Sequence, residues 1–205
     1  MTEYFMIFLP LFVHILVAGG LAEILRGRCS ATAQIALTCA VMLPFYIVRY
    51  RRERRRKRKH MAVWHLPLWA LAGAAANELL SKVVGLFYTP SASEIERQMV
   101  LHASGMPAKI AVLVLLGPLT EEMLFRGLLL PSCKRIFPRW GSAVLVSFFF
   151  AVYHANLAQA IYAFPMGLLL CAAFETEDSI LAPFFVHMGS NLLTVLTMGG
   201  KGLPH

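Results

Sequence analysis

Six polar or charged side chains sit inside apolar stretches: Glu121, Glu122, Arg126, His154, His187 and Asn191. A membrane-embedded Glu, Asp, Arg or Lys costs about 2.5–3.5 kcal/mol on insertion scales, so the sequence needs a reason to keep three of them within six residues. Glu122 and Arg126 are four residues apart, share one helical face and can neutralise each other. Glu121 points about 100° away from Glu122 and has no partner in its own segment. His187 and Asn191 are also spaced i,i+4 and so point the same way from one helix. Taken singly, a membrane His or Asn reads as glue between helices, and a pair of carboxylates as a proton relay or ion site. Together they offer a carboxylate and an imidazole that can take a proton from water. A second imidazole and a carboxamide can donate to a developing oxyanion. That set suits water attacking a carbonyl.

The elements that must position these groups are apolar helices. Of the 205 residues, 58% are hydrophobic and 15% charged, and the mean hydropathy is +0.64. Soluble domains are nearer 45–50% apolar and about 25% charged, so a soluble fold and disorder are both excluded. Crossing ~30 Å of hydrocarbon takes about 20 apolar residues. Runs at 4–25, 31–48, 61–88, 108–130, 140–156, 157–174 and 180–198 meet that need, the sixth being short enough to be re-entrant. The fold expected is all-α, a polytopic transmembrane bundle of about seven spans, within six to eight, enclosing a polar cavity, with 1–205 as one membrane domain and the motifs within 118–195. The third run is rich in small residues (Ala70, Ala72, Gly73, Ala74, Ala75, Ala76) and should pack closely against another span. A short helix is expected around Glu94–Leu101, and an acidic turn at Glu175–Asp178. At 1.5 Å per residue, Glu121 lies about 14 Å, His187 about 11 Å and His154 about 21 Å from the inner ends of their runs, depths compatible with one cavity.

The formal charge of +8 is concentrated rather than spread. Nine of the 19 Lys and Arg lie between Arg49 and Lys59. This cluster holds a single aromatic, Tyr50, and so gives no stacking platform; it reads as a topology anchor with incidental attraction for lipid, not as a nucleic-acid site. Threading seven spans with the cluster inside puts loops 49–60 and 131–139 on the cytoplasmic side with twelve Lys and Arg, against three in 26–30 and 89–107. The N-terminus is then cytoplasmic and the C-terminus outside. The four cysteines show no CxxC pair, which argues against a disulfide framework or thiolate zinc site. Glu78 and Lys82 read as an interfacial pair, Glu23, His14 and His65 as snorkelling or interhelical contacts, and 199–205 as a flexible end.

The patterns Glu121-Glu122-xxx-Arg126, Phe150-xxx-His154 and His187-xxx-Asn191 lie in that order on successive spans. With Phe164-xx-Gly167 and Ser179-Ile180-Leu181-Ala182-Pro183, they resemble the CAAX-protease and bacteriocin-processing family of intramembrane proteases over about 118–195. The resemblance implies that Glu121 and His154 activate the attacking water. It implies that His187 and Asn191 form the oxyanion site, and that Glu122 and Arg126 are a supporting ion pair. Such proteins are described both as metalloproteases and as glutamate-type proteases. A zinc ion could take Glu121, His154 and His187, but no HExxH is present, and a metal-free glutamate mechanism is the favoured expectation. The first three runs match nothing in the family. Small size and the lack of a targeting signal fit a bacterial member in the plasma membrane, acting on a membrane-anchored or lipidated precursor or C-terminal tail. The rival expectations are a non-catalytic immunity or scaffold partner keeping the same fold, and a proton-coupled transporter. No internal repeat supports the latter.

Overall fold

The computed structural model describes residues 2–53, 61–89, 91 and 104–200. Seven helices follow one another: α1 (Thr2–Ile24), α2 (Ala31–Glu53), α3 (His65–Phe87), α4 (residues 106–133), α5 (Arg139–Tyr153), α6 (Leu157–Glu177) and α7 (Leu181–Gly200). Among the described residues there is no strand. Each expected span has its helix, with modest changes at the ends. α3 begins at His65 rather than at 61. α2 continues to Glu53, so the basic cluster starts in a helical turn rather than in a loop. α6 continues to Glu177, which places Glu175 and Glu177 in the helix and leaves the turn to Asp178, held in the left-handed region at φ 47°. At 21 residues α6 is long and apolar enough to cross a membrane, as are α1, α2 and α3. α5 and the stretch Leu181–Thr197 of α7 are shorter apolar helices. The helix expected near 94–101, residues 54–60 of the basic cluster and the tail 201–205 lie outside the described residues.

Lipid-facing surface explains why such helices are stable. Only 11% of the apolar window of α3 is buried inside the bundle, and Leu71, Leu79, Leu86 and Phe87 all face outward. In water that surface would be a large aggregation liability; in a bilayer it is solvated by acyl chains. The chain is an integral membrane protein.

The centre of the bundle is α4, which touches α1, α2, α5, α6 and α7. Every residue from Glu122 to Leu130 is buried. This helix is not regular: wider, π-type turns at Ile110–Leu116 and Met123–Leu129 flank the α-helical segment Gly117–Glu122. Such widenings re-aim side chains relative to an unbroken helix and are frequent at functional sites. Here they bracket the two glutamates.

Two close approaches fix the helices around it. α3 and α7 cross at Gly73 and Gly189. A Cβ on Gly73 would lie 1.8 Å from the Val186 carbonyl oxygen, and one on Gly189 would lie 2.0 Å from that of Ala70. The small-residue face of the third run thus packs against the seventh, and backbones meet directly, as small residues permit in lipid. α5 and α6 meet at Gly167, where a Cβ would be 2.9 Å from that of Ser147. The end of the bundle that carries the basic cluster is tied by Glu175, which accepts from both Lys134 and Arg139, and by Glu177, which accepts from Trp69 at 3.1 Å and pairs with His65 at 2.9 Å. The exposed pair Glu78–Lys82 forms within its own turns, as its i,i+4 spacing leads one to expect, whereas Glu23, expected to snorkel or to contact another helix, pairs with Arg26 three residues on.

Gly189→Ala should therefore lower the thermal unfolding midpoint of the detergent-solubilised protein, by an overpacking cost of about 1–3 kcal/mol. Gly85→Ala, where nothing lies within 4 Å of the added Cβ, should leave the midpoint unchanged. Equal midpoints for the two variants would contradict the backbone contact between α3 and α7.

Candidate active site

A cavity of about 1040 Å³ lies within the bundle, and Glu121, His154, His187 and Asn191 all line it. The residues that composition made anomalous converge from α4, the end of α5, and α7. The sequence could place them at similar depths; their meeting is a result of the fold.

Glu122 is fully buried behind the cavity wall. Its Oε1 accepts from Arg126 at 3.1 Å, as the i,i+4 spacing predicts, and also lies 2.8 Å from His187 Nδ1. An ionised carboxylate only accepts, so the ring N–H donates to it. His187 is thereby held with Nε2 turned towards Glu121, whose Oε2 is 3.8 Å away. One imidazole lies between two carboxylates. Arg126 joins the same group through Glu122, and charges buried away from water persist only when paired and hydrogen-bonded.

Arg126 is the largest fully buried side chain. Its second guanidinium nitrogen donates to the Gly167 carbonyl at 3.1 Å, and its charge lies 4.4 Å from the centre of the Phe150 ring. The tight Gly167–Ser147 contact brings that carbonyl within reach. Among the described residues, Glu122 Oε2 and Arg126 Nε have no hydrogen-bond partner. Phe150 also stands edge-on to His154 and His187, with centroids 4.9 and 5.8 Å away, and spaces the two imidazoles.

His154 caps α5. Its Nδ1 is 2.7 Å from the Phe150 carbonyl oxygen, which fixes the proton on Nδ1 and leaves Nε2 as an acceptor. The chain then turns sharply through Ala155, held at φ 50°. This conformation costs a non-glycine residue about 1–2 kcal/mol. Asn156 next caps α6 by accepting from the Gln159 N–H at 2.9 Å. The strain ends α5 at His154 and keeps the imidazole at the cavity wall.

Asn191 donates through Nδ2 to the Leu113 carbonyl at 2.8 Å. In the π-type register a carbonyl pairs with the N–H five residues on, and for Leu113 that residue is Pro118, which has none. Proline thus leaves free the acceptor that orients Asn191, whose amide keeps a second N–H.

Two hydrogen-bond networks that reach cavity residues were not read from the sequence. His14 is buried between two phenols, with Nδ1 3.0 Å from the Tyr46 hydroxyl and Nε2 2.8 Å from that of Tyr153, a cavity residue. It makes the interhelical contact expected of it, but the residue it positions follows from the packing of α1 on α5. Asn77, Tyr162, Ser190 and Thr194, all lining the cavity, form a second network: Tyr162 bonds to Asn77 and Ser190 at 2.8 Å each, and Asn77 to Thr194 at 3.2 Å. A buried Asn in the small-residue run of α3 was the one available signal. Among the described residues no three His, Cys, Asp or Glu side chains are grouped to hold an ion. Nδ1 of His154 bonds to a backbone carbonyl and Nδ1 of His187 to Glu122.

Residues 103–193 match the family model described as Rce1-like, type II CAAX prenyl endopeptidase. A Bacillus subtilis (strain 168) protein named "Putative membrane peptidase YdiL" is 23% identical over 134 residues, which cover 63% of this chain and 55% of that protein. The chain thus spans about half the length of the curated relative it matches. No solved structure matches. All the motif residues fall within the matched stretch, so the similarity to the Rce1-like, type II CAAX prenyl endopeptidase family covers the three motifs.

Proposed function

We propose that the chain is an intramembrane endopeptidase, one membrane domain over 1–205 with its catalytic motifs in 118–195. Its substrate is a membrane-anchored or lipidated precursor or C-terminal tail, and its place is the bacterial plasma membrane with the N-terminus in the cytoplasm. The observation that carries this reading is the convergence of Glu121, His154, His187 and Asn191 on one cavity in an apolar bundle.

The reaction runs on these side chains alone. Water sits between Glu121 and the free Nε2 of His154. Glu121 takes one proton as the water oxygen bonds to the substrate carbonyl carbon, and the carbonyl electron pair becomes the oxyanion. Nε2–H of His187 and the second N–H of Asn191 donate to that oxyanion. Both are fixed before reaction, by Glu122 and by the Leu113 carbonyl. Donors that need no reorganisation in a site of low dielectric constant are where such catalysis gains most. The C–N bond then breaks, and Glu121 returns its proton to the leaving amine.

In cleavage of a membrane-anchored peptide by the purified protein, Glu121→Gln should abolish turnover, because no other carboxylate can accept and return the proton. Asn191→Ala should leave an enzyme about 10²–10³ slower, the usual loss for one oxyanion donor. Small and equal losses would contradict the assigned roles. Pro118→Ala returns an N–H that competes for the Leu113 carbonyl. It should lower kcat several-fold with KM and thermal midpoint held; an unchanged kcat would show that Asn191 needs no such anchor.

A further inference from the structure

The cavity belongs to one end of the bundle. Most of its lining comes from the C-terminal halves of α1, α3 and α5 and the N-terminal halves of α2, α4 and α6, with the middle of α7 from His187 to Val195. Successive helices alternate in direction, so these halves lie together. Its lining includes Gly19 and Gly85, both exposed and both with open space where a Cβ would be. The opposite end is closed by the ties of Glu175 to Lys134 and Arg139 and of Glu177 to His65 and Trp69.

The same two ends differ in charge. The closed end carries the Arg49–Lys59 cluster at the C-terminus of α2 and Lys134, Arg135 and Arg139 between α4 and α5, twelve Lys and Arg in all. The loops at the cavity end, 26–30 and 89–107, carry three. Basic loops stay on the side from which the chain is inserted. We infer that the cavity opens on the extracytoplasmic face, and that the peptides it admits are segments already across the membrane or lying in its outer leaflet. Tails still in the cytoplasm face the closed end. As a statement about substrate this rests on the endopeptidase reading; as a statement about access it does not, since the mouth and the charge are independent of any reaction.

Cysteine labelling tests it in intact cells. Among the described residues Cys29, in the turn at the cavity end, is the exposed cysteine, whereas Cys39, Cys133 and Cys171 are buried. A membrane-impermeant maleimide should label native Cys29. In a Cys29→Ser background it should label Gly19→Cys and Gly85→Cys, with Ser81→Cys on the same wall as the reserve should a glycine variant fail to insert. Arg52→Cys, exposed at the closed end, should label only after lysis. Labelling of Arg52→Cys in intact cells with loss of labelling at Cys29 would overturn the assigned face. Labelling of Cys29 with none at Gly19→Cys, Gly85→Cys or Ser81→Cys would overturn the open mouth. Neither result depends on whether the chain cleaves a peptide, so failure here is distinct from failure of the endopeptidase reading.

Discussion

One oxygen of Glu122 accepts from Arg126 at 3.1 Å and from His187 at 2.8 Å, in a place where all three side chains are buried. Each charge there loses several kcal/mol of hydration, and removing one partner of such a group typically costs about 3–5 kcal/mol by leaving the others unpaired. The interaction therefore fixes more than a pair. It locks α7 against α4, because His187 and Glu122 come from different helices. Through Arg126 it also ties α6 at Gly167 and sets the guanidinium over Phe150. A carboxylate spent wholly on structure leaves its neighbour Glu121, one residue and about 100° away, to face the cavity.

Both glutamates lie in the α-helical segment Gly117–Glu122, where the 100° step between neighbours turns one inward and the other to the cavity. Of the π-type turns on either side, the first frees the Leu113 carbonyl that anchors Asn191, because Pro118 lacks an N–H. The two oxyanion donors of the proposed reaction thus come from one helix turn of α7 yet are oriented by two different points on α4. Strain at Ala155 completes the arrangement by ending α5 at His154.

Much of this was legible in residue type and spacing. Hydropathy located the seven helices to within a few residues, because crossing hydrocarbon demands length and apolar content that nothing else in the sequence imitates. The Glu122–Arg126 pair followed from i,i+4 geometry, and the small-residue face of α3 announced a close contact, though not that α7 would fill it. Partners distant in sequence were not legible. Nothing in the spacing says that His187 should bond to Glu122 rather than Glu121, that His14 should hold Tyr153, or that Asn77 should meet Tyr162 and Thr194. Those choices depend on how helices rotate as they pack. The widened turns of α4 were also invisible, since hydropathy carries no mark of a one-residue change in register.

The account's central claim is that Glu121 performs proteolysis within the membrane. Its most direct test is mass spectrometry of the C-terminal peptides of membrane-anchored proteins from cells carrying the wild-type chain or Glu121→Gln, with equal insertion of both verified. The account predicts a set of tails shortened only in the wild-type cells, each ending at a consistent bond near a membrane anchor. Identical tail profiles in the two cells would contradict it.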